Sequence, residues 1–444
     1  MIRYKITHRY IGPLIACLCL GLSASSCVDD DAGCIEDKPG YVEGNDVWLS
    51  FTVKGEDPAP RTPSSAASPR ALTSRAGDDG PDGSGHPAEP ATDAENYINP
   101  TDIRLLLFDN RDCLMKIFDR EEILVFKHPE GDNNSSSYEI KVKINRAYFD
   151  YAGTAEKFYM SFMLIANLNG FGEGSDKPFP TAASIPYMKK HTALANEYYD
   201  FTYTPGTQTA PWFPDGETKA IPMSGLKKYT VSLAALDGAT DANKPYQLDG
   251  DNADASPLLL QRAIAKIRVF DNIAEDAHTK IIGVRVEGLN SRGAFLPDFS
   301  LADKSAWASG TKMLEKATVL LAWWDGSLKV YAKEVDSTVG GEYINGEGKK
   351  FDSAFVAYIP EADLTSKNVP KLYITTESTS QNHNPEAPRE WEFELTKIIE
   401  EQNIDITRNH IYEFTVTRSI DSQLTLNYTV CPWLTETVTL PPFN

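Results

Sequence analysis

Few side chains in this sequence are spaced for chemistry. Asp249-Gly-Asp251-Asn-Ala-Asp254 sets carboxylates at alternate positions, as a calcium loop does to present oxygen ligands. Its fifth position is Ala253 and its sixth is Asp254 where a loop of that kind needs glycine, so it reads as an acidic loop with no metal. The glycines of residues 340–350 are spaced like a phosphate loop, but Glu347 stands where the lysine would be, and the segment reads as a glycine-rich hairpin. Trp323 and Trp324 are neighbours, so a strand would turn their rings to opposite faces and could offer one of them to a sugar; Trp391 is a further candidate. Of seven histidines only His410 falls in a strand pattern, where a packed histidine is expected. With 63 Asp and Glu, close carboxylate pairs are inevitable and none by itself points to a hydrolase. No pattern of catalytic, metal-ligating or cofactor-binding residues emerges, and no enzyme is expected.

The N-terminus carries chemistry of another kind. Arg3, Lys5 and Arg9 precede an apolar run over 11–22. That run is too short for a bilayer helix, which needs about 20 residues, and it fits a secretory signal. It ends in Ala24-Ser-Ser26 before Cys27, a loose lipobox in which the cysteine would be acylated and become the new N-terminus. Residues 1–26 are then the signal peptide, and 27–45, with Asp29 to Asp31, a tether to the outer membrane surface. Loss of 1–26 takes the formal charge from −20 to about −23, which repels phosphate backbones and argues against nucleic acid as a partner. Cys34, Cys113 and Cys431 are left for at most one disulfide, so packing must hold the fold.

These elements must be positioned by strands. Val47, Leu49, Phe51 and Val53 alternate as in a half-buried strand over 46–53. Residues 55–100 follow, with eight prolines and five glycines, and read as a loose linker. The strand therefore looks like an edge element that a cut in the linker would remove while sparing the core. Alternating or apolar runs recur at 103–109, 139–145, 158–167, 220–225, 229–233, 263–270, 280–289, 317–324, 327–332, 353–360, 371–377, 389–395, 410–417, 423–430 and 437–440. Helical pattern is sparse, with one short candidate at 182–194. Many short strands separated by turn signals predict an all-β chain of antiparallel sandwiches. Length suits two, an N-terminal domain over 46–273 with its core at 101–273, and a C-terminal domain over 274–444.

The order of several pieces resembles the fimbrillins, lipoprotein pilins of anaerobic Gram-negative bacteria. They are the lipobox-like Cys27, the strand 46–53, the arginine-containing TSRAGDDG (73–80), IRLLLFD (103–109), FYMSFMLIANLNG (158–170), QRAIAKIRV (261–269), ITRNHIYEFTV (406–416) and VCPW (430–433). The resemblance implies two tandem transthyretin-like sandwiches and a fimbrial subunit serving adhesion. It implies that an arginine-specific protease removes the strand carrying Val47, Leu49, Phe51 and Val53. It also implies that a C-terminal strand of another subunit fills the groove, giving a homopolymer. Of Arg61, Arg70 and Arg75, the Arg75–Ala76 bond best matches the family's cut. The donor is expected near 434–444, with Val438 and Leu440 inward, although 423–430 also carries a stripe of Leu424, Leu426, Tyr428 and Val430. Two other readings stay open: an uncleaved, lipid-anchored fimbrial anchor, to which Cys34 in the tether also points, and a surface glycan-binding lipoprotein.

Overall fold

A computed structural model describes residues 42–55, 89–111, 113–127, 137–153, 155–168, 198–200, 211–216, 218–249, 256–294, 326–336, 343–345, 349–362, 370–378, 387–395, 406, 408–418 and 424–434. The chain is all-β, as its alternating patterns predict. The first half contributes β1 (Asp46–Gly55), β2 (Glu89–Pro90), β3 (Ile103–Phe108), β4 (Leu114–Ile117), β5 (Ile123–Lys127), β6 (Tyr138–Asn145), β7 (Lys157–Ala166), β8 (Tyr198–Asp200), β9 (Met223–Ser232), β10 (Tyr246–Gln247) and β11 (Leu258–Arg262). Then follow β12 (Ile264–Ile273), β13 (Thr279–Leu289), β14 (Arg292–Ala294), β15 (Leu328–Tyr331), β16 (Lys333–Asp336) and β17 (Tyr343–Ile344). The series ends with β18 (Lys350–Phe351), β19 (Ser353–Pro360), β20 (Lys371–Ser378), β21 (Arg389–Glu394), β22 (His410–Arg418) and β23 (Thr425–Leu434).

The first sheet runs β4-β3-β7-β9-β11-β1-β6-β5, with β10 also paired to β1. The second runs β16-β19-β12-β22-β23-β2, and a third runs β15-β13-β20-β21. Among the described residues the changeover from first to second sheet falls between Arg262 and Ile264, because β12 pairs with β19 and β22 of the C-terminal half. That is ahead of the division expected at 273. The two patterns at 220–225 and 229–233 belong to one continuous strand, β9, whose whole length pairs with β7. The expected strands at 317–324 and 437–440 and the helical candidate at 182–194 lie outside the described residues.

Alternation explains the packing. Ile140, Val142 and Ile144 of β6 and Val47, Leu49, Phe51 and Val53 of β1 all turn to the hydrophobic core. β7 is buried along both faces from Met160 onward, as a central strand with no solvated side should be. Gly225 in β9 is fixed by space: a Cβ there would fall 2.0 Å from the Leu259 carbonyl oxygen, so glycine alone lets β11 lie this close. Just outside the second sheet, after β19 and before β22, Glu361 and Arg408 form a buried ion pair at 2.7 Å, and the Arg408 amide also donates to Glu361 (3.0 Å).

Candidate assembly site

The strand read as peripheral is central. β1 pairs antiparallel with β6 along its length, from Asp46 opposite Asn145 to Val53 opposite Tyr138. On its other side it pairs in parallel with β10 at Leu49–Ser50 and with β11 at Val53–Gly55. The edge assignment fails because period-two alternation reports which face is buried, and says nothing about how many neighbours a strand has. The consequence is larger than a trimmed edge. Among the described residues, no strand other than β1 and its short partner β10 lies between β6–β5 and the rest of the sheet. Taking β1 out divides the sheet in two.

Side chains make the slot apolar. Leu49 and Val53 are fully buried, and Phe51 stacks on Phe162 at 5.1 Å and tilts against Tyr229 at 5.9 Å. Burying each such side chain is worth about 1.5–3 kcal/mol. Backbone bonds outside the sheet ladder fix the register: Trp48 N–H donates to the Ala239 carbonyl (2.7 Å), Leu248 N–H to the Ser50 carbonyl (2.8 Å), and Thr52 N–H to Asp249 Oδ2 (2.7 Å). Asp249 is the first carboxylate of the acidic loop, and the structure uses it as a strand acceptor. At the strand's start Asp46 meets Lys143 at 2.9 Å and accepts from Asn145 Nδ2 at 3.0 Å. Burial pushes the Asp46 carboxyl up, but these hydrogen bonds and the attraction of Lys143 and Lys116 outweigh it and hold its pKa below the ordinary value.

The chain downstream of the linker is held differently. Residues 89–102, expected to be mostly loose, form a clasp at the junction of the first two sheets. β2 runs parallel to the end of β23, with Glu89 opposite Trp433 and Pro90 opposite Leu434. Thr92 and Glu95 cap each other: Thr92 N–H donates to Glu95 Oε2 (2.8 Å) and Glu95 N–H to Thr92 Oγ1 (3.3 Å). The other Glu95 oxygen receives the Tyr358 hydroxyl at 2.6 Å and lies 3.0 Å from Lys266 Nζ. Burial raises the Glu95 pKa, yet Lys266, Tyr358 and the Thr92 amide together bring it below the ordinary value. Tyr358 is pushed well above its usual value by burial and by the Glu95 charge.

Arg262 ties the clasp to both halves. Its Nε donates to the Glu95 carbonyl (3.2 Å), and one terminal nitrogen donates to Asn409 Oδ1 (2.7 Å) and to the Trp433 carbonyl (2.9 Å). The other donates to Asn96 Oδ1, and the guanidinium lies 4.6 Å from the centroid of the Trp433 ring. Asn167, at φ 59°, donates to the carbonyls of Tyr97 and Ile221 (2.7 Å each) and accepts from Asn99 N–H (2.8 Å). Gly55 pairs with Leu260, two residues before Arg262, and Glu89 pairs with Trp433, which Arg262 holds. Gly55 and Glu89, the described residues on either side of 56–88, therefore both lie at this junction.

Cys27, Arg61, Arg70, Arg75, Ala76, Trp323, Trp324, Glu347, Asp251, Asp254, Val438 and Leu440 lie outside the described residues. Leu434, the first residue of the expected donor segment, is the last of β23. His410 is a core residue whose Nδ1 lies 2.7 Å from the Arg408 carbonyl. Trp391 is half-buried: the Arg389 guanidinium sits 3.8 Å from its ring centroid, and its Nε1 donates to Thr376 Oγ1 (3.0 Å). No group of three or more metal-ligating side chains occurs among the described residues, and no described helix is long and apolar enough to cross a membrane.

No family model and no curated protein matches the chain. Solved structures are similar to it at low identity. The C-terminally truncated tip fimbrial protein Mfa3 of Porphyromonas gingivalis is 13% identical, with a TM-score of 0.44 over 87% of this chain and 100% of that one. A fimbrial assembly protein of Parabacteroides distasonis is 12% identical, with a TM-score of 0.38 over 87% and 98% of the two chains.

Proposed function

We propose that this protein is a structural subunit of a surface filament, built by exchanging β1 for a strand donated by another copy. The observation that carries the reading is the place of β1: a buried strand that bridges two parts of a sheet and reaches the next described element only through residues 56–88. A cut in that segment frees β1 and leaves unpaired strand edges on both sides of an apolar slot. Such edges template another strand, whose backbone supplies hydrogen bonds and whose alternate side chains supply fit. Donation from one copy to the next is a heterologous contact that need not close, so it extends a filament. The fimbrillin-like order of the sequence favours a cut at Arg75–Ala76 and a donor at 434–444 with Val438 and Leu440 inward. It also gives Cys27 a lipid that carries the precursor to the outer membrane.

The test is the N-terminal residue of protein recovered from assembled filaments. Ala76 is expected, and Arg75→Ala should leave the precursor unprocessed. Filaments whose subunits retain residues 46–55 would sink the exchange scheme.

A further inference from the structure

Among the described residues β5 pairs with β6 alone, at the end of the first sheet. The other edges of the three large sheets, β4, β2, β16, β15 and β21, each carry a charge or a proline within their span, a common guard against edge pairing. β5 reads Ile123-Leu-Val-Phe126 before its one charge, Lys127, at the end. Phe126 is 47% exposed. We infer that this edge pairs with the same edge of a second copy, antiparallel, with the two-fold axis through Phe126. The pairing stands apart from the strand-exchange reading; only its consequence for filaments rests on that reading.

Two lines of geometry say which backbone groups β5 leaves free. In an antiparallel ladder alternate residues bond to one neighbour and the residues between them face the other way. On β1 the groups of Trp48, Ser50 and Thr52 bond away from β6, to Ala239, Leu248 and Asp249. Leu49, Phe51 and Val53 therefore bond to Val142, Ile140 and Tyr138 of β6, which leaves Glu139 and Lys141 to bond Phe126 and Leu124 of β5. Ile123, Val125 and Lys127 must face outward. The start of β5 agrees: the Ile123 N–H donates to the Arg120 carbonyl, and the Ile123 carbonyl accepts from the Arg120 guanidinium (2.6 Å). Arg120 thus closes the edge at Ile123. The outward N–H and C=O of Val125 and Lys127 have no partner among the described residues.

The free groups lie one residue to each side of Phe126, so the edge is complementary to itself. Setting Val125 opposite Lys127 of a second copy, and Lys127 opposite its Val125, makes two bonds at each of two residue pairs and uses no group that Arg120 already holds. Moving the axis to Val125 would call on Ile123 and lose two of the four. The chosen register also sets Phe126 directly opposite its own copy, in the close non-hydrogen-bonded position where aromatic pairs stabilise a sheet. Lys141 Nζ, 5.2 Å from the Phe126 centroid, holds the ring from its own sheet.

Such a contact is isologous and closes on itself, so it cannot extend a filament. It joins subunits side by side. Its small size makes it weak between two free chains, and repetition along two filaments would multiply it.

The test uses the full, uncut chain at high salt, which screens the repulsion between two chains of formal charge −20. Sedimentation velocity over a concentration series should show a monomer–dimer equilibrium. Val125→Pro removes one outward amide per copy, and the monomer should fold as before by circular dichroism, since that amide has no bond inside the chain. The dimer should weaken about tenfold, as the loss of two hydrogen bonds implies. Phe126→Lys, at an exposed position, carries the same test should Val125→Pro unfold. A monomer at every concentration, or a dimer that these variants leave unchanged, overturns the inference. Phe126→Cys then fixes the register. Oxidised with copper phenanthroline and mapped by mass spectrometry, it should link position 126 of one copy to position 126 of the other, because residues opposed in this way have Cα atoms about 4.5 Å apart. Leu124→Cys should not link to itself, because its copy lies about 13 Å along the strands. A self-link at Val125→Cys without one at Phe126→Cys overturns the register.

Discussion

The chain on either side of residues 56–88 is held by opposite means. Upstream, β1 is held by backbone pairing and an apolar stripe along its length, with specific side-chain polar contacts only at its first residue, Asp46. Any strand with large apolar residues at alternate positions could occupy that slot. Downstream, residues 89–102 are held by Glu95, Asn96, Tyr358, Lys266 and Arg262, each meeting a specific polar partner. Buried polar contacts of this kind lose most of their worth when one member changes, because the remainder is left unsatisfied. On the strand-exchange proposal the difference would make β1 the replaceable part and the clasp the permanent one.

The sharpest way to break this comparison is to remove β1. A chain beginning at Ala76 should fail to give a cooperative melt by circular dichroism, and a peptide spanning 44–56 added in trans should restore one. A peptide carrying Leu49→Asp and Phe51→Asp should not. In the intact chain Phe51→Ala alone should cost about 3–5 kcal/mol, since it empties the space against Phe162 and Tyr229. Restoration by both peptides alike would mean that the slot does not read alternate side chains.

The clasp should show the converse. Arg262→Ala is expected to destabilise by about 3–5 kcal/mol in denaturant melts, because Asn96, Asn409 and two carbonyls lose a buried charged donor. Added strand peptide should leave this deficit unchanged. A melt rescued by peptide would erase the distinction between the two regions.

Acidification sharpens the same point. The folded-state pKa of Glu95 lies below its ordinary value of 4.5, so its contribution is fully present above that value and is lost as pH falls through the lower folded value. Stability measured downward from pH 5 should therefore decline, and Glu95→Gln should be less stable near neutrality with a shallower acid decline. An identical acid slope in the variant would remove Glu95 from the account.

What the sequence discloses follows the same division. The β1 stripe is local, four apolar residues at period two, and its inward face is legible at sight. Its centrality is not, because the partners that enclose it are Tyr138–Asn145 and Leu258–Leu260, far along the chain. Composition misleads at 89–100 for the same reason. Prolines and a single pair of large apolar residues give a loose segment by local rules, while its order comes from Arg262, Lys266 and Tyr358. Trp433 stands out within VCPW as a landmark of resemblance, but its burial against Tyr358 at 5.9 Å, under the Arg262 guanidinium, is a tertiary fact with no local signal.

The smallest effect is expected at Asp249, which the sequence offers as a failed calcium ligand and the structure gives to Thr52 N–H at 2.7 Å. Asp249→Asn keeps an acceptor oxygen and loses the charge, so the cost should be about 0.5–1.5 kcal/mol, the net worth of one hydrogen bond. Its value lies in where the cost appears. If Asp249 serves β1 alone, the loss should be measurable in the uncut chain and absent from a chain whose slot holds a donated strand with a different backbone register. Hydrogen exchange at the Thr52 amide would report it directly, with protection falling in the variant while the amides of β12 and β22 stay as they were. Equal loss in both forms would assign the acidic loop to the body of the fold instead, and would move the boundary of the replaceable region inward by one strand.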